Sequence, residues 1–267
     1  MNAEKVAQYI VEWMDAYLTG TGAAGFVVGV SGGIDSAVVS SLAAMTGRRT
    51  LCVTLPIHQA RSQVDRAAEH VARLTARFSN AEAAHADLTA PYEAFRAAFD
   101  PSVGAGAPQA TVDLAGANAR SRLRMTALYY FAGMNNLLVA GTGNKIEDFG
   151  VGFFTKYGDG GVDISPIADL TKTEVYELGR WLGVPESILT AAPTDGLFGD
   201  DRTDEQQIGA TYPELERAMR QDAEGTDPQT LSEREQRVLE IYRRRNRANR
   251  HKMEPIPVCR IPDSVRE

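Results

Sequence analysis

Gly25-Phe26-Val27-Val28-Gly29-Val30-Ser31-Gly32-Gly33-Ile34-Asp35-Ser36 passes from an apolar, β-branched run into a two-glycine turn and on into the helical pattern Ala37, Val38, Ser41, Leu42. That is strand, glycine loop, helix. Gly32 and Gly33 let backbone N–H groups approach an anion, the helix that follows points its positive end at the same spot, and Ser31 and Ser36 add hydroxyls. Such a loop suits phosphate. It is not a Walker loop, because no lysine follows the glycines; Asp35 stands in the turn instead, and a carboxylate beside a polyphosphate makes sense as a Mg²⁺ ligand. A second glycine pattern, Gly20-Thr21-Gly22-Ala23-Ala24-Gly25, precedes its strand, whereas the dinucleotide fingerprint follows one. It reads as a flexible link.

Outward from that loop, Thr50 to Pro56 reads as a second buried strand, Ala81 to Asp87 as a weak third and Leu137 to Gly141 as another. Helical patterns lie between them, over His58 to Thr75, Pro91 to Phe99 and Leu114 to Met134. Strands alternating with helices predict a doubly wound α/β fold, Rossmann-like, with a mostly parallel five-stranded sheet and helices on both faces. The loops after Val30, Leu55 and Gly141 would then meet around one ligand. Phe149 to Ser165 is glycine-rich, aromatic and irregular, which inside a compact domain points to function. Thr171 reads as the cap of a helix ended by Gly183, and 193–204 as an acidic mobile loop. Leu231 to Asn249 is a last, arginine-dense helix, and the tail from Pro255 is expected to lie extended over a surface.

Composition narrows the class without naming a reaction. The 28 basic and 35 acidic residues leave a net charge of -7, which argues against bulk binding of nucleic acid. Cys52 and Cys259 have no ligand spacing and fit a reducing compartment. The chain opens on an amphipathic helix with Val6, Ile10, Trp13 and Tyr17 expected on one side, and no stretch has membrane-spanning length. A cytoplasmic enzyme that binds neither nucleic acid nor membrane is expected.

Ser31-Gly32-Gly33-Ile34-Asp35-Ser36 resembles the SGGxDS pyrophosphate loop of the ATP pyrophosphatase superfamily, whose members split ATP into AMP and pyrophosphate. The later segments are similar to one family within it, the NAD synthetases. These are Gly141-Thr142-Gly143-Asn144-Lys145-Ile146-Glu147; Gly152-Phe153-Phe154-Thr155-Lys156-Tyr157-Gly158-Asp159-Gly160-Gly161-Val162-Asp163; Pro166; Asp169-Leu170-Thr171-Lys172; Leu182-Gly183-Val184-Pro185; Pro193-Thr194; Thr203-Asp204-Glu205; and His251-Lys252. The resemblance implies adenylation of the nicotinate carboxylate of deamido-NAD by ATP, then attack by ammonia to give NAD, AMP and pyrophosphate.

It also implies roles. Gly29 to Ser36, that is Gly29, Val30, Ser31, Gly32, Gly33, Ile34, Asp35 and Ser36, together with Thr142, Lys172 and Thr194, match positions that bind ATP, and Asp35 and Glu147 match Mg²⁺ ligands. Arg122, Lys156, Asp163, His251 and Lys252 match contacts to deamido-NAD. Asp159, Lys172 and Thr194 are the implied catalytic residues, Asp159 as the carboxylate that binds ammonium and accepts its proton. A lysine at a helix start is disfavoured by the dipole, so Lys172 fits best facing an anion. Arg120 and Arg124 are not assigned, since three arginines at alternate positions cannot share one helix face. Asp195-Gly196-Leu197 and the residues after it depart from the family's pattern.

On this reading residues 1–267 form one domain with 222–267 as a helix-and-tail extension, and a homodimer is implied. Only 24 residues precede Gly25, too few for the amidohydrolase domain of glutamine-dependent relatives, so direct use of ammonia is expected. The alternative is another ligase of the same superfamily acting on a different carboxyl or carbonyl group, such as a tRNA-modifying enzyme. That enzyme would be expected to carry a basic face or an appended RNA-binding module.

Overall fold

The structure, a computed structural model, describes residues 1–100, 102–194 and 203–266. In chain order it builds α1 (Ala3–Thr21), β1 (Gly25–Gly29), α2 (Ile34–Met45), β2 (Arg49–Thr54), α3 (Arg61–Arg77), β3 (Ala81–His85), α4 (Thr89–Ala97), α5 (Gln109–Asn135) and β4 (Leu137–Val139). A π-helix (Lys145–Val151) follows, then α6 (Lys172–Leu182), α7 (Glu186–Leu189), α8 (Asp204–Ile208), α9 (Tyr212–Ala223) and α10 (Glu233–Met253).

The strands pair in the order β3-β2-β1-β4, all parallel, with Gly25 opposite both Arg49 and Leu137. Chain winding reverses between β1 and β4. In such a sheet the crevice beyond the carboxyl ends of those two strands is where a ligand is received. Alternation along β1 serves two cores. Phe26 and Val28 pack under α1, α2 and α6, while Val27 joins Leu51, Val53 and Val139 beneath α5. All three β1 side chains are fully buried, worth about 2 kcal/mol each in apolar area, so Val27→Asp would break the sheet at its centre.

Four strands form among the described residues, not the expected five. Where a fifth would lie, Ala140 makes a single parallel bridge to Ile164. The reason is local: Val139 N donates to the Asp163 carboxylate at 2.8 Å rather than to a main-chain carbonyl, and the glycine-rich segment turns away on either side. The first helix is also rotated from expectation. Ala7, Ile10, Met14 and Leu18 form its buried stripe, and Trp13 and Tyr17 stay 40% and 44% exposed, their rings 5.9 Å apart. Large rings set the expected face, but the smaller Ala7, Ile10, Met14 and Leu18 are the residues that enter the core. The link at Gly20 to Gly25 is in part the end of α1, closed by Gly22 at φ +72°.

Beyond the sheet a second core gathers Ile146 and Val151 from the π-helix with Tyr212 and Leu215 of α9 and Val238, Leu239 and Tyr242 of α10. It holds the π-helix against the crevice. Of the α10 arginines, Arg234 pairs with Glu214 and Arg243 with Asp222. The tail from Pro255 is exposed throughout its described length. Most of the loop expected over 193–204, residues 195–202, lies outside the described residues.

Candidate functional site

A cavity opens at the carboxyl ends of β1, β2 and β4, lined by every residue from Gly29 to Ser36 and by Thr142, Glu147, Asp159, Lys172 and Thr194. The loop is held open by its own hydroxyls. Ser31 N donates to Ser36 Oγ at 3.2 Å, Ser36 Oγ donates to Gly33 O at 3.0 Å, and Gly33 N donates to Ser31 Oγ at 3.3 Å. Gly33 caps α2 without a side chain, so the first amides of that helix are left for an anion. Gly32 must be glycine: it sits at φ +86°, and a Cβ there would stand 2.5 Å from Gln63 O on α3.

Asp35 is the second residue of α2 and Glu147 lies in the π-helix after β4; Lys172, first residue of α6, bridges them. Its Nζ donates to Asp35 Oδ2 at 2.6 Å and to Glu147 Oε1 at 2.9 Å. Asn144 ties the arrangement together. Its Nδ2 donates to Asp35 Oδ1 at 3.0 Å, while its Oδ1 caps the π-helix by accepting from Ile146 N and Glu147 N. Tyr212 adds an OH to Glu147 Oε1 at 2.5 Å.

The charges follow from that geometry. Burial alone would lower the Lys172 ammonium, but the two carboxylates outweigh it and hold its pKa well above the ordinary lysine value. Burial raises Asp35, opposed by Lys172 and reinforced by Glu147. Glu147 is also penalised by burial, yet Lys172 and the Tyr212 hydroxyl bring it below the usual carboxylate range. So α6 begins with a cation because two anions face it, as its place at a helix start required.

Asp159 is held at the far side of the cavity: its Oδ1 accepts from Ser121 Oγ at 2.7 Å and Thr155 N at 3.0 Å. Burial pushes its carboxyl up.

The remaining predicted residues do not line this cavity. Arg122 Nε donates to Lys156 O at 3.2 Å, and Lys156 Nζ to His251 O at 2.5 Å, so these three adjoin one another. Lys252 Nζ donates to Gly152 O and Phe154 O, behind the wall that carries Asp159. Asp163 is committed to the fold, one oxygen to Tyr129 OH and the other to Val139 N.

This arrangement accompanies a family-wide match. The family model described as NAD synthase matches residues 6–256. The chain belongs to the NAD synthase family. An NH(3)-dependent NAD(+) synthetase of Syntrophomonas wolfei is 38% identical over all of both chains. One from Carboxydothermus hydrogenoformans is 40% identical over 81% of this chain and 85% of its own. The solved structure of NMN synthetase from Francisella tularensis superposes with a TM-score of 0.83 at 34% identity, covering 98% of this chain and all of that one.

Several side chains around this NAD synthase-family cavity escape motif reading. Tyr212 lies 65 residues from the glutamate it binds, with nothing in sequence to link them. Arg124, set aside on helical spacing, reaches the cavity wall, where its Nε donates to Leu55 O at 2.9 Å and its Nη2 to Gln59 Oε1 at 2.7 Å. The signal missed there was length: an arginine reaches past the face its Cα occupies.

Proposed function

We propose that this chain is an ATP-dependent C–N ligase that converts deamido-NAD and ammonia to NAD, releasing AMP and pyrophosphate. The observation that carries it is the Asp35–Lys172–Glu147 bridge above an uncapped glycine loop, in one cavity with Thr142, Thr194 and Asp159. The names of the relatives in the NAD synthase family point to the same reaction and to ammonia as nitrogen donor.

The residues fit Mg²⁺, because Asp35 and Glu147 already hold one cation between them, the Lys172 ammonium. Two carboxylates with phosphate oxygens and water are the usual set for that ion. Bound there, Mg²⁺ supplies positive charge to phosphate oxygens. The loop amides and the N-terminus of α2 hold the leaving pyrophosphate, and Lys172 and Thr194 stabilise the α-phosphate as the substrate carboxylate attacks it. The P–O bond to pyrophosphate breaks as the acyl–phosphate bond forms.

In the second step the Asp159 carboxylate takes a proton from ammonium. The freed nitrogen lone pair attacks the acyl carbon, the acyl–oxygen bond breaks, and AMP leaves with its phosphate oxygen taking the second proton that the nitrogen sheds as the amide forms. Arg122, Lys156, Asp163, His251 and Lys252 are assigned to the dinucleotide. Of these, Arg122, Lys156 and His251 adjoin one another outside the cavity lining, while Asp163 is tied to Tyr129 and Val139. A cytoplasmic homodimer is part of the proposal. Its support is the exposed apolar set Val112, Tyr130 and Met134, which helical spacing puts along one side of α5.

A second reading is the same amidation on nicotinate mononucleotide, favoured by the Francisella tularensis structure, an NMN synthetase. Purified protein given ATP, Mg²⁺, ammonium and either nucleotide decides between them. Equimolar NAD, AMP and pyrophosphate, with the higher kcat/KM on deamido-NAD, is the expected result. A higher kcat/KM on the mononucleotide transfers the assignment to it, and failure to consume ATP with either ends both.

A further inference from the structure

Arg66 brings a cation to the glycine loop and spends little of it on the fold. It stands on the turn of α3 that presses against Gly32, where an added Cβ would lie 2.5 Å from Gln63 O, 3.0 Å from Ala67 N and 3.3 Å from Arg66 Cβ. From there the half-buried side chain reaches the cavity lining, and its Nε donates to Gly32 O at 3.3 Å. Among the described residues nothing accepts from either of its Nη groups. Those two groups form a planar fork whose spacing suits the oxygens of a phosphate. The other cations that line the cavity, among the described residues, are Lys172 and Arg124. Lys172 is shared by Asp35 and Glu147, and Arg124 gives its Nε to Leu55 O and its Nη2 to Gln59 Oε1. The carboxylates of Asp148, Asp159 and Asp204 line the same space. A polyphosphate entering it therefore meets mostly like charge, and the loop amides donate to it without neutralising it.

We propose that Arg66 binds the β- and γ-phosphates of ATP through its Nη groups and stabilises pyrophosphate as it leaves. This rests on the amidation reading. As the substrate carboxylate bonds to the α-phosphorus, the bond from that phosphorus to the bridging oxygen breaks. Its electron pair passes to pyrophosphate, which departs with the extra negative charge. Arg66 supplies positive charge on that side, opposite in sign to what develops there. Its Nε bond to Gly32 O steadies the guanidinium against the loop before ATP arrives.

Two substitutions separate holding an anion from holding the loop. Arg66→Gln keeps a nitrogen where Nε stood, able to donate to Gly32 O, and removes the charge with both Nη groups. Arg66→Lys keeps the charge and puts carbon at that place. Both residues are good helix formers at a half-exposed position, so the intact protein should fold in each case. The probe is inorganic pyrophosphate with Mg²⁺, its affinity measured by calorimetric titration and its inhibition measured against ATP, with AMP as the control inhibitor. Arg66→Gln should bind pyrophosphate about tenfold or more weakly, as loss of a charge-assisted hydrogen bond implies, with AMP inhibition unchanged. Arg66→Lys should keep most of the affinity. Unaltered pyrophosphate affinity in Arg66→Gln overturns the assignment. So does a loss confined to Arg66→Lys, which would leave only the tie to Gly32, or an equal loss for AMP. Failure of the unaltered protein to form pyrophosphate from ATP overturns the amidation reading, and this assignment with it.

Discussion

Lys172 Nζ stands 2.6 Å from Asp35 Oδ2, so a cation carried by α6 occupies the place between α2 and the π-helix to which the proposed function assigns a divalent ion. The Lys172 side chain is 4% exposed and those of its two partners are 17% and 16%. Removing it leaves two carboxylates facing each other out of water. Lys172→Met should lower stability by about 3–5 kcal/mol. Mg²⁺ should restore part of that loss. Urea unfolding with and without Mg²⁺ measures both, and a midpoint in the variant that ignores Mg²⁺ would contradict the pair's assignment as a cation site.

Asp35→Asn and Glu147→Gln keep shape and remove charge at the same pair. Each is expected to slow pyrophosphate release by about a hundredfold or more, the scale of losing one preorganised electrostatic contact. Single-turnover release of pyrophosphate from ATP and deamido-NAD checks this. Activity within a few-fold of the unaltered protein, for either variant, would show that the phosphates lie elsewhere.

Asp159→Asn separates the two chemical steps. Ser121 and Thr155 can still hold the amide, so the variant should fold and release pyrophosphate normally while forming amide about a hundredfold more slowly. Quenched-flow measurement of pyrophosphate and NAD in the same samples reads the two rates. Equal loss of both would assign Asp159 a structural part only.

Much of this site was legible because its chemistry is local in sequence. The glycine loop, Asp35, Glu147 and the capped start of α6 each sit at an element boundary, where residue type and backbone geometry constrain each other tightly. What was not legible depends on distant parts of the chain meeting. Tyr212 reaches Glu147 only because α9 packs on the π-helix. That a π-helix forms at all, bringing Asp148 to the cavity, follows from the core it shares with α9 and α10 rather than from any periodicity in 145–151. The missing fifth strand has the same origin, since a side chain of Asp163 takes a position on β4 that a backbone carbonyl was expected to fill.

Gly32 tests the loop without touching a charge. An added Cβ would be strained at φ +86° and would press on Gln63 O and, at 3.0 Å, on Ala67 N, both main-chain atoms of α3. Gly32→Ala should therefore cost about 2 kcal/mol or more of stability and weaken ATP binding as α3 is pushed from the loop. Urea unfolding and equilibrium ATP binding measure the two effects. Unchanged affinity would mean that the loop does not contact the nucleotide.

His70 supplies a pH dependence outside the reaction. It is buried under α2, where its Nε2 lies 2.8 Å from Ser40 Oγ and its Nδ1 has no partner. Burial, helped by Arg73 and opposed by Glu69, lowers its pKa to about 4. Between the unfolded value near 6.5 and about 4 the unfolded chain therefore binds a proton that the folded chain refuses. The contribution is fully present above the upper value and is lost as pH falls through the lower one. From pH 7 to pH 5 this group should remove about 2 kcal/mol of stability. His70→Gln cannot titrate, so its unfolding free energy should fall less over that interval, whatever its value at pH 7. Parallel pH slopes for the two proteins in urea unfolding would mean that His70 is protonated in the folded state.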